Sequence, residues 1–526
     1  HWRKHKLILA GVDPDAVDAP EAVLAQLPSE QAHDPLIARL LEVAQSRFPG
    51  KLSLDPSTIE FDNEKGKSKL VSWGFTCVEP GFLTDVSVQS RLQSTFMRAL
   101  GGVWKFEFEV TADRFGGSRR TGLPKLVFPP LWPVVGSVEE AKSSYPGWEL
   151  KVGVTADGEL GFRMDKMPHL KVIGETGSGK SVAVRSWLEQ YRAMGWQLIL
   201  ADGKGADYVG YITPNEDDNG LPVPGTVAVG LGATPKGMSY VGAIVIAYLI
   251  MQDRQSGSAE AKIADPDGWS NFAPVLLVMD EIKGMREKWR GALPKADQKA
   301  IESMVTEITS LGRELRVHAL LVSQDARDVS IPGVWSSNLP LSISLGKPKP
   351  ITVNKAFDDS VRPKVQMLQS SMDPNQKGRC LIAAVDKETG AADVLEYQGF
   401  IGYAPGESWN NDNVPKLAAE PQNWPLFKDR VSDRVPRLYT RQWFKLDEPS
   451  AAQLEKEEAD EWPMGYIDFD MFTVEELKDL ELVALDYRDS KGVIRPNPDM
   501  ARYDPSSPTY VCRAPVRRRQ VATSEL

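Results

Sequence analysis

Gly174, Glu175, Thr176, Gly177, Ser178, Gly179, Lys180 and Ser181 fit the pattern G-x-x-x-x-G-K-[ST], and no other stretch constrains this chain as strongly. Glycines at these positions let successive backbone N–H groups wrap around phosphate oxygens. The lysine reaches the terminal phosphates and the hydroxyl coordinates magnesium. Gly174, Thr176, Gly177, Ser178 and Gly179 are therefore candidate cradle residues, Lys180 the candidate phosphate lysine and Ser181 a candidate Mg2+ ligand, with ATP as the nucleotide expected. The flanks agree: Leu170, Val172 and Ile173 read as a buried strand entering the loop. Val182, Val184, Trp187, Leu188 and Tyr191 give a helix leaving it, stopped at Gly195, and a second strand runs from Trp196 to Ala201.

A length of 526 residues implies two or three domains. The three cysteines, Cys77, Cys380 and Cys512, lie far apart with no C-x-x-C pair, which excludes a disulfide framework and fits a reducing compartment. Five scattered histidines give no zinc pattern. The net charge of -10 excludes a chain that coats nucleic acid with its whole surface, but not one that grips it through a local basic loop. The longest uncharged apolar run, Met238 to Met251, is 14 residues and reads as a buried helix, since a bilayer span needs about 20. The localisation expected is cytoplasmic. The basic start, with Arg3, Lys4 and Lys6, raises the further expectation of a membrane anchor upstream of residue 1.

Before the P-loop, prolines at 14, 20, 28 and 35 break the stretch from Ala10 to Arg47 into short helices. Asp85 to Leu100 reads as a helix, and Trp104 to Val110 alternates apolar and charged residues as a half-buried strand does. Arg114, Arg119, Arg120 and Lys125 around Gly116 and Gly117 read as a basic loop, either solvated or touching nucleic acid. A proline-rich connector from Phe128 to Pro133 marks a boundary, and Trp148 to Phe162 reads as a strand pair turning at Asp157 and Gly158.

After the P-loop, Asp202 and Lys204 end the second strand, where ligands bind in open α/β sheets, so both are site candidates against the alternative of a capped loop. Val275 to Met279 is fully apolar and ends in Asp280 and Glu281, about 100 residues beyond Lys180. This placement suits a second ATPase signature, with Asp280 holding magnesium and Glu281 activating the attacking water. The interval leaves room for at least one extra strand. A third strand, His318 to Ser323, ends in Gln324, suited to sensing the γ-phosphate between the two signatures. Arg313, at the end of a preceding helix, is a candidate to reach a neighbouring subunit's nucleotide.

At these residues the chain resembles the FtsK/SpoIIIE family of hexameric DNA translocases, within the HerA-FtsK superfamily. The resemblance rests on Met167, Pro168, His169 and Leu170 before the loop, on Asp202, Gly203 and Lys204, and on Gly312 and Arg313 leading to His318. Val322, Ser323 and Gln324 complete it, and it covers roughly Gly153 to Phe400. It implies a RecA-like motor in a homo-hexameric ring around double-stranded DNA, with Arg313 matching the family's interfacial arginine. Asp280 and Glu281 are followed by Ile282, Lys283 and Gly284 rather than Phe-Ala-Asp-Leu, and Gln324 by Asp325 and Ala326 rather than Arg-Pro. These departures point to a plasmid, phage or conjugative-element relative. Lys283, Arg286, Lys288 and Arg290, with Lys204, are candidate DNA contacts where a pore loop would follow the phosphate backbone.

The fold expected is α/β: a RecA-like P-loop ATPase domain with a mostly parallel sheet and helices on both faces. A mixed α+β N-terminal domain and a small, mostly helical C-terminal extension flank it. The boundaries expected are a leader over 1–50, an α+β domain over 51–145, the motor over 146–405 and an extension over 406–526, with capping boxes opening at Ser450 and Thr473 and a basic tail at Arg513 and Arg517 to Arg519. Two other functions use the same fuel: a secretion ATPase moving protein, and a nucleotide-gated DNA scaffold that does not translocate.

Overall fold

The computed structural model describes residues 34–513 except 65–66, 102–103, 120–122, 125–126, 215–219, 233, 325–330, 373–375, 386–391, 402–433 and 459–464. The leader before residue 34, Arg120, Lys125, the pair Asp325 and Ala326, and the tail arginines at 517–519 lie outside the described residues. Two compact units divide the chain. One takes residues up to Pro124 together with Thr155–Gly158 and Asp359–Pro374; the other takes Lys125–Val154, Glu159–Asp358 and Asn375 onwards. This grouping differs from four consecutive segments, because the C-terminal residues share a unit with the P-loop.

In the first unit, helix α1 (Pro35–Arg47) has Pro35 in its first turn and Asp34 as its N-cap. Proline suits that position, where its missing N–H costs nothing. Strands β1 (Leu52–Leu54), β2 (Glu60–Glu64) and β3 (Lys67–Cys77) precede helix α2 (Val86–Leu100), and β4 (Trp104–Glu109) and β5 (Arg114–Arg119) follow it. The sheet order is β1-β3-β5-β4, with β2 on β3. Trp73 anchors the core, with Phe75, Phe96, Trp104, Phe106 and Phe115 around its ring. The basic stretch at Arg114 is thus a strand and not a loop. Its two glycines serve packing: a Cβ on Gly117 would stand 2.6 Å from the Trp73 ring, and one on Gly116 2.7 Å from the Trp73 carbonyl oxygen.

The second unit is built on one ten-stranded sheet. Its strands are β6 (Glu149–Thr155), β7 (Gly158–Arg163), β8 (Leu170–Gly174), β9 (Gln197–Asp202), β10 (Thr226–Leu231), β11 (Val275–Asp280), β12 (Val317–Ser323), β13 (Leu341–Leu345), β14 (Arg379–Val385) and β15 (Ala392–Gly399). They lie in the order β10-β9-β11-β12-β8-β13-β14-β15-β6-β7. Pairing is parallel from β10 to β13 and antiparallel through β14, β15 and β6. The central strands β8, β11 and β12 are buried along their whole length, as near-continuous Val, Ile and Leu runs require when both faces are covered.

The helices that matter here are α3 (Lys180–Ala193), α4 (Met238–Gln255), α5 (Ile282–Ala292) and α6 (Lys295–Leu311). The apolar run at Met238 is the core of α4, buried from Tyr240 to Ala247. Among the described residues no helix is long and apolar enough to cross a membrane. β10 is the extra strand between the two signatures, and β12 separates β11 from β8.

The C-terminal segment is tied into this unit by a buried carboxylate. Asp470 accepts hydrogen bonds from Thr234 Oγ1, Lys236 N and Met238 N at 2.8, 2.7 and 2.9 Å. α4 has Gly237 at its N-cap and no side-chain cap of its own, so Asp470 supplies the missing acceptor from more than 200 residues away. The capping box at Thr473 and Glu476 forms as its spacing implies.

Candidate nucleotide site

Parallel strands bring three loops to one edge of the sheet: the P-loop after β8, Gln324 after β12 and Asp280 with Glu281 at the end of β11. Gly177 and Gly179 adopt positive φ of 82° and 98°, a region that costs side-chain-bearing residues but not glycine, and a Cβ on either would meet open space. Gly179 is the N-cap of α3 and provides no side-chain cap, so the first N–H groups of the helix face the loop mouth. Ser178 Oγ is buried with no hydrogen-bond partner among the described residues. Uncapped donors, an open glycine cradle and an orphaned hydroxyl are what a bound phosphate would satisfy.

Lys180 Nζ donates to the carbonyl oxygens of Gly174 at 2.6 Å and Glu175 at 3.2 Å, which holds the ammonium at the mouth of the loop. Burial lowers its pKa, and the charges of Asp280 and Glu281 partly oppose that shift. Ser181 opens α3 beside it.

Thr176 Oγ1 donates to Gln324 Oε1 at 3.1 Å, and Gln324 Nε2 donates to Glu281 Oε2 at 2.6 Å. One glutamine therefore links the phosphate loop to the candidate base. Glu281 stands at φ 59°, a conformation uncommon for a residue with a side chain, immediately before α5. Gly203 makes room for this turn, since a Cβ there would lie 2.9 Å from both the Asp280 carbonyl oxygen and Met285 Cγ.

Asp280 is 4% exposed, and burial, followed by the charge of Asp207, pushes its carboxyl up to about 6. It accepts from Tyr208 OH at 3.1 Å and from Glu281 N at 2.8 Å. A dry carboxylate near a second carboxylate is poised for a cation. The residues present fit magnesium, with Asp280 and Ser181 as its candidate holders. Bound there, the ion would neutralise the charge that develops on the phosphate oxygens.

The other predicted residues fall elsewhere. Asp202 is fully buried and accepts from Lys204 N, Gly205 N, Asp207 N and Tyr208 N, so it caps the loop. Lys204 Nζ lies 3.0 Å from Asp207 Oδ2 and 3.9 Å from Glu281 Oε2, which sets it against the site's carboxylates. The stretch after Glu281 is helix α5. Arg286 is 2% exposed and bound to Glu302 Oε1 at 2.6 Å, and Lys288 donates to the carbonyl oxygens of Gly232 and Thr234. Both side chains are thus engaged within the protein. Lys283 and Arg290 keep 37% and 39% of their side chains exposed. Arg313 is exposed, with Nε donating to Asp165 O at 3.1 Å. It precedes the amino end of β12, roughly 20 Å along that strand from Gln324, and so sits at the opposite end of the parallel strands from its own P-loop.

Tyr208 and Asp207 belong to the site and carry no sequence signal, because they lie in an irregular turn without periodicity.

The lead-in residues Pro168, His169 and His318 are structural. The Pro168 carbonyl only accepts, so His318 Nδ1 carries the proton donated to it, and His318 Nε2 accepts from Tyr145 OH at 2.8 Å. His169 Nδ1 accepts from Ala319 N at 3.0 Å, fastening the start of β8 to β12. Burial holds His318 down at about 3 against an ordinary 6.5, while the Pro168 carbonyl pulls the other way. Below pH 6.5 the unfolded chain gains a proton that the folded chain refuses until about 3, so stability falls with pH across that window. At pH 5 the loss amounts to about 2 kcal/mol. Melting temperatures at pH 7 and pH 5 check this. The drop is expected to shrink in His318→Gln, even though that variant starts lower after losing buried hydrogen bonds.

No protein-family model matches the chain. Among curated proteins, DNA translocase FtsK of Streptomyces avermitilis is 25% identical over 232 residues, covering 40% of this chain and 24% of that protein. DNA translocase FtsK 2 of Ralstonia nicotianae is 26% identical over 265 residues, covering 40% and 33%. The chain thus spans between a quarter and a third of the length of these relatives. Among solved structures, the pCW3 conjugation coupling protein TcpA is 19% identical with a TM-score of 0.38, covering 70% of this chain and 95% of that one. The cytoplasmic domain of the type VII secretion ATPase EccC of Thermomonospora curvata is 16% identical, also at 0.38, covering 61% and 35%. The P-loop, the strand order that sets Gln324 between two signatures, and the sequence likeness to FtsK make this chain a P-loop ATPase similar over two fifths of its length to DNA translocases of the FtsK type.

Proposed function

We propose that this chain is a motor that couples ATP hydrolysis to the movement of double-stranded DNA through a homo-hexameric ring, in the DNA transfer of a plasmid, phage or conjugative element. The observation that carries the coupling is the Gln324 bridge between Thr176 and Glu281. In this reading the γ-phosphate arrives between these two groups, Glu281 takes a proton from the attacking water, and Gln324 orients that water. Loss of the phosphate lets the bridge close, and β12 carries the change across the sheet. Lys180 and the cradle from Gly174 to Gly179 hold the phosphates, and Ser181 and Asp280 hold Mg2+.

Arg313 acts in trans. Its place at the amino end of the parallel strands is unsuited to its own nucleotide and suited to a neighbour's, where an arginine stabilises transition-state charge. Of Lys283, Arg286, Lys288 and Arg290, it is Lys283 and Arg290 that are exposed enough to touch a phosphate backbone. The cytoplasm is the location that fits this work. The choice of DNA as cargo is supported by the sequence likeness to the DNA translocases FtsK and FtsK 2.

Steady-state ATPase rates test the cargo. Duplex DNA is expected to raise the rate several-fold, with the stimulation falling steeply as salt rises, since phosphate contacts release counterions. A rate unmoved by duplex DNA but raised by a peptide would assign the motor to protein.

A further inference from the structure

We propose that the groove between α1 and α2 in the first unit is a second grip on the phosphate backbone of duplex DNA, remote in sequence from the ATPase loops. The proposal rests on the DNA reading above and extends it to a unit with no assigned role. The two helices pack through Ile37, Leu40 and Val43 on one and Leu92 and Phe96 on the other, all buried. Between their outer edges runs a cavity of about 530 Å³ whose lining includes Arg39, Arg47, Arg91 and Arg98 and no carboxylate.

This composition runs against the chain as a whole, which carries 72 acidic and 62 basic residues. α2 has no acidic residue, and α1 has only Glu42, which takes Arg39 at 2.7 Å. Arg91 and Arg98 stand two turns apart on one face, as do Arg39 and Arg47, so each pair spreads its charge over roughly 10 Å of helix. All four are exposed. Glu42 offsets Arg39, but Arg47, Arg91 and Arg98 still converge on one groove and repel one another, and the cavity lining provides no carboxylate to relieve them. A polyanion from outside would.

The residue type narrows the class. A guanidinium is a planar fork of donors that meets phosphate oxygens two at a time. The Arg91 guanidinium carbon lies 5.2 Å from the centroid of the Phe48 ring, a contact that restrains the side chain while its edge donors can still turn outward. Spread over two turns of two helices, the charges span more than one phosphate, which favours a polymer backbone over a single small anion. A bilayer surface is less suited: no large hydrophobic side chain described on α1 or α2 is exposed to insert into it.

The test is duplex binding by the full chain, followed by fluorescence anisotropy across a salt series. Arg91→Gln with Arg98→Gln is expected to flatten the slope of log affinity against log salt by about 2, one for each lost phosphate contact, at every duplex sequence tried. Arg91→Lys with Arg98→Lys is expected to keep most of the slope, because charge is retained. Arg39→Gln with Arg47→Gln gives an independent reading from the other wall. DNA-free ATPase should be unchanged in all three, showing that they are folded. If the wild-type chain binds duplex DNA and both Gln pairs bind with its slope and affinity, the groove assignment is overturned while the DNA reading stands. If the wild-type chain binds no duplex, both fall. Loss of sedimentation with phosphatidylserine vesicles at an unchanged DNA slope would also overturn the proposal in favour of a membrane surface.

Discussion

Glu281→Gln is expected to bind ATP as the wild-type chain does and to hydrolyse it about 10²–10⁴-fold more slowly, the usual contribution of a positioned general base. The substitution is nearly isosteric, and an amide can still receive the Gln324 Nε2 hydrogen bond on its oxygen. Geometry and the left-handed turn at residue 281 are preserved, while the acceptor for the water's proton is lost. Turnover measured beside binding of a fluorescent ATP analogue separates the two effects. Loss of binding together with turnover would mean that Glu281 shapes the site rather than serving as its base.

Lys180→Ala should do the opposite and abolish nucleotide capture itself. Lys180 Nζ is held within 3.2 Å of two loop carbonyl oxygens, so its charge is already placed where terminal phosphates would lie. Two charge-assisted hydrogen bonds are worth roughly 3 kcal/mol, or about 100-fold in affinity. In the wild-type chain ATP with magnesium should raise the melting temperature by mass action. That shift should disappear in Lys180→Ala and persist in Glu281→Gln. An undiminished shift in Lys180→Ala would remove the lysine from the site.

The parts of this enzyme legible from sequence are those where backbone geometry demands a residue type. Gly177 and Gly179 need positive φ, apolar runs at β8, β11 and β12 need a sheet covered on both faces, and residues at strand ends must gather at one edge. Gln324, a polar residue ending a third apolar strand, could therefore be read as a γ-phosphate sensor between the two signatures. Arginines and lysines resist such reading because their position relative to an apolar face decides their role. Arg286 follows Met285 and precedes Trp289 by three, which puts it on the buried side of α5, whereas Lys283 and Arg290 keep much of their side chains exposed. Gly116 and Gly117 read as a turn because glycine usually marks one. Here they admit the Trp73 indole, a demand made by a residue more than 40 positions away. Asp470 likewise caps a helix that begins at Met238, and no local pattern announces a cap delivered from so far along the chain.

In the proposed motor, hydrolysis moves DNA rather than merely gating its binding. A triplex-displacement assay measures it directly, with a labelled third strand annealed to a duplex and the full chain added with ATP and magnesium. ATP-dependent release of the third strand is expected from the wild-type chain and none from Glu281→Gln. A wild-type chain that binds the duplex and hydrolyses ATP yet leaves the triplex intact would contradict it.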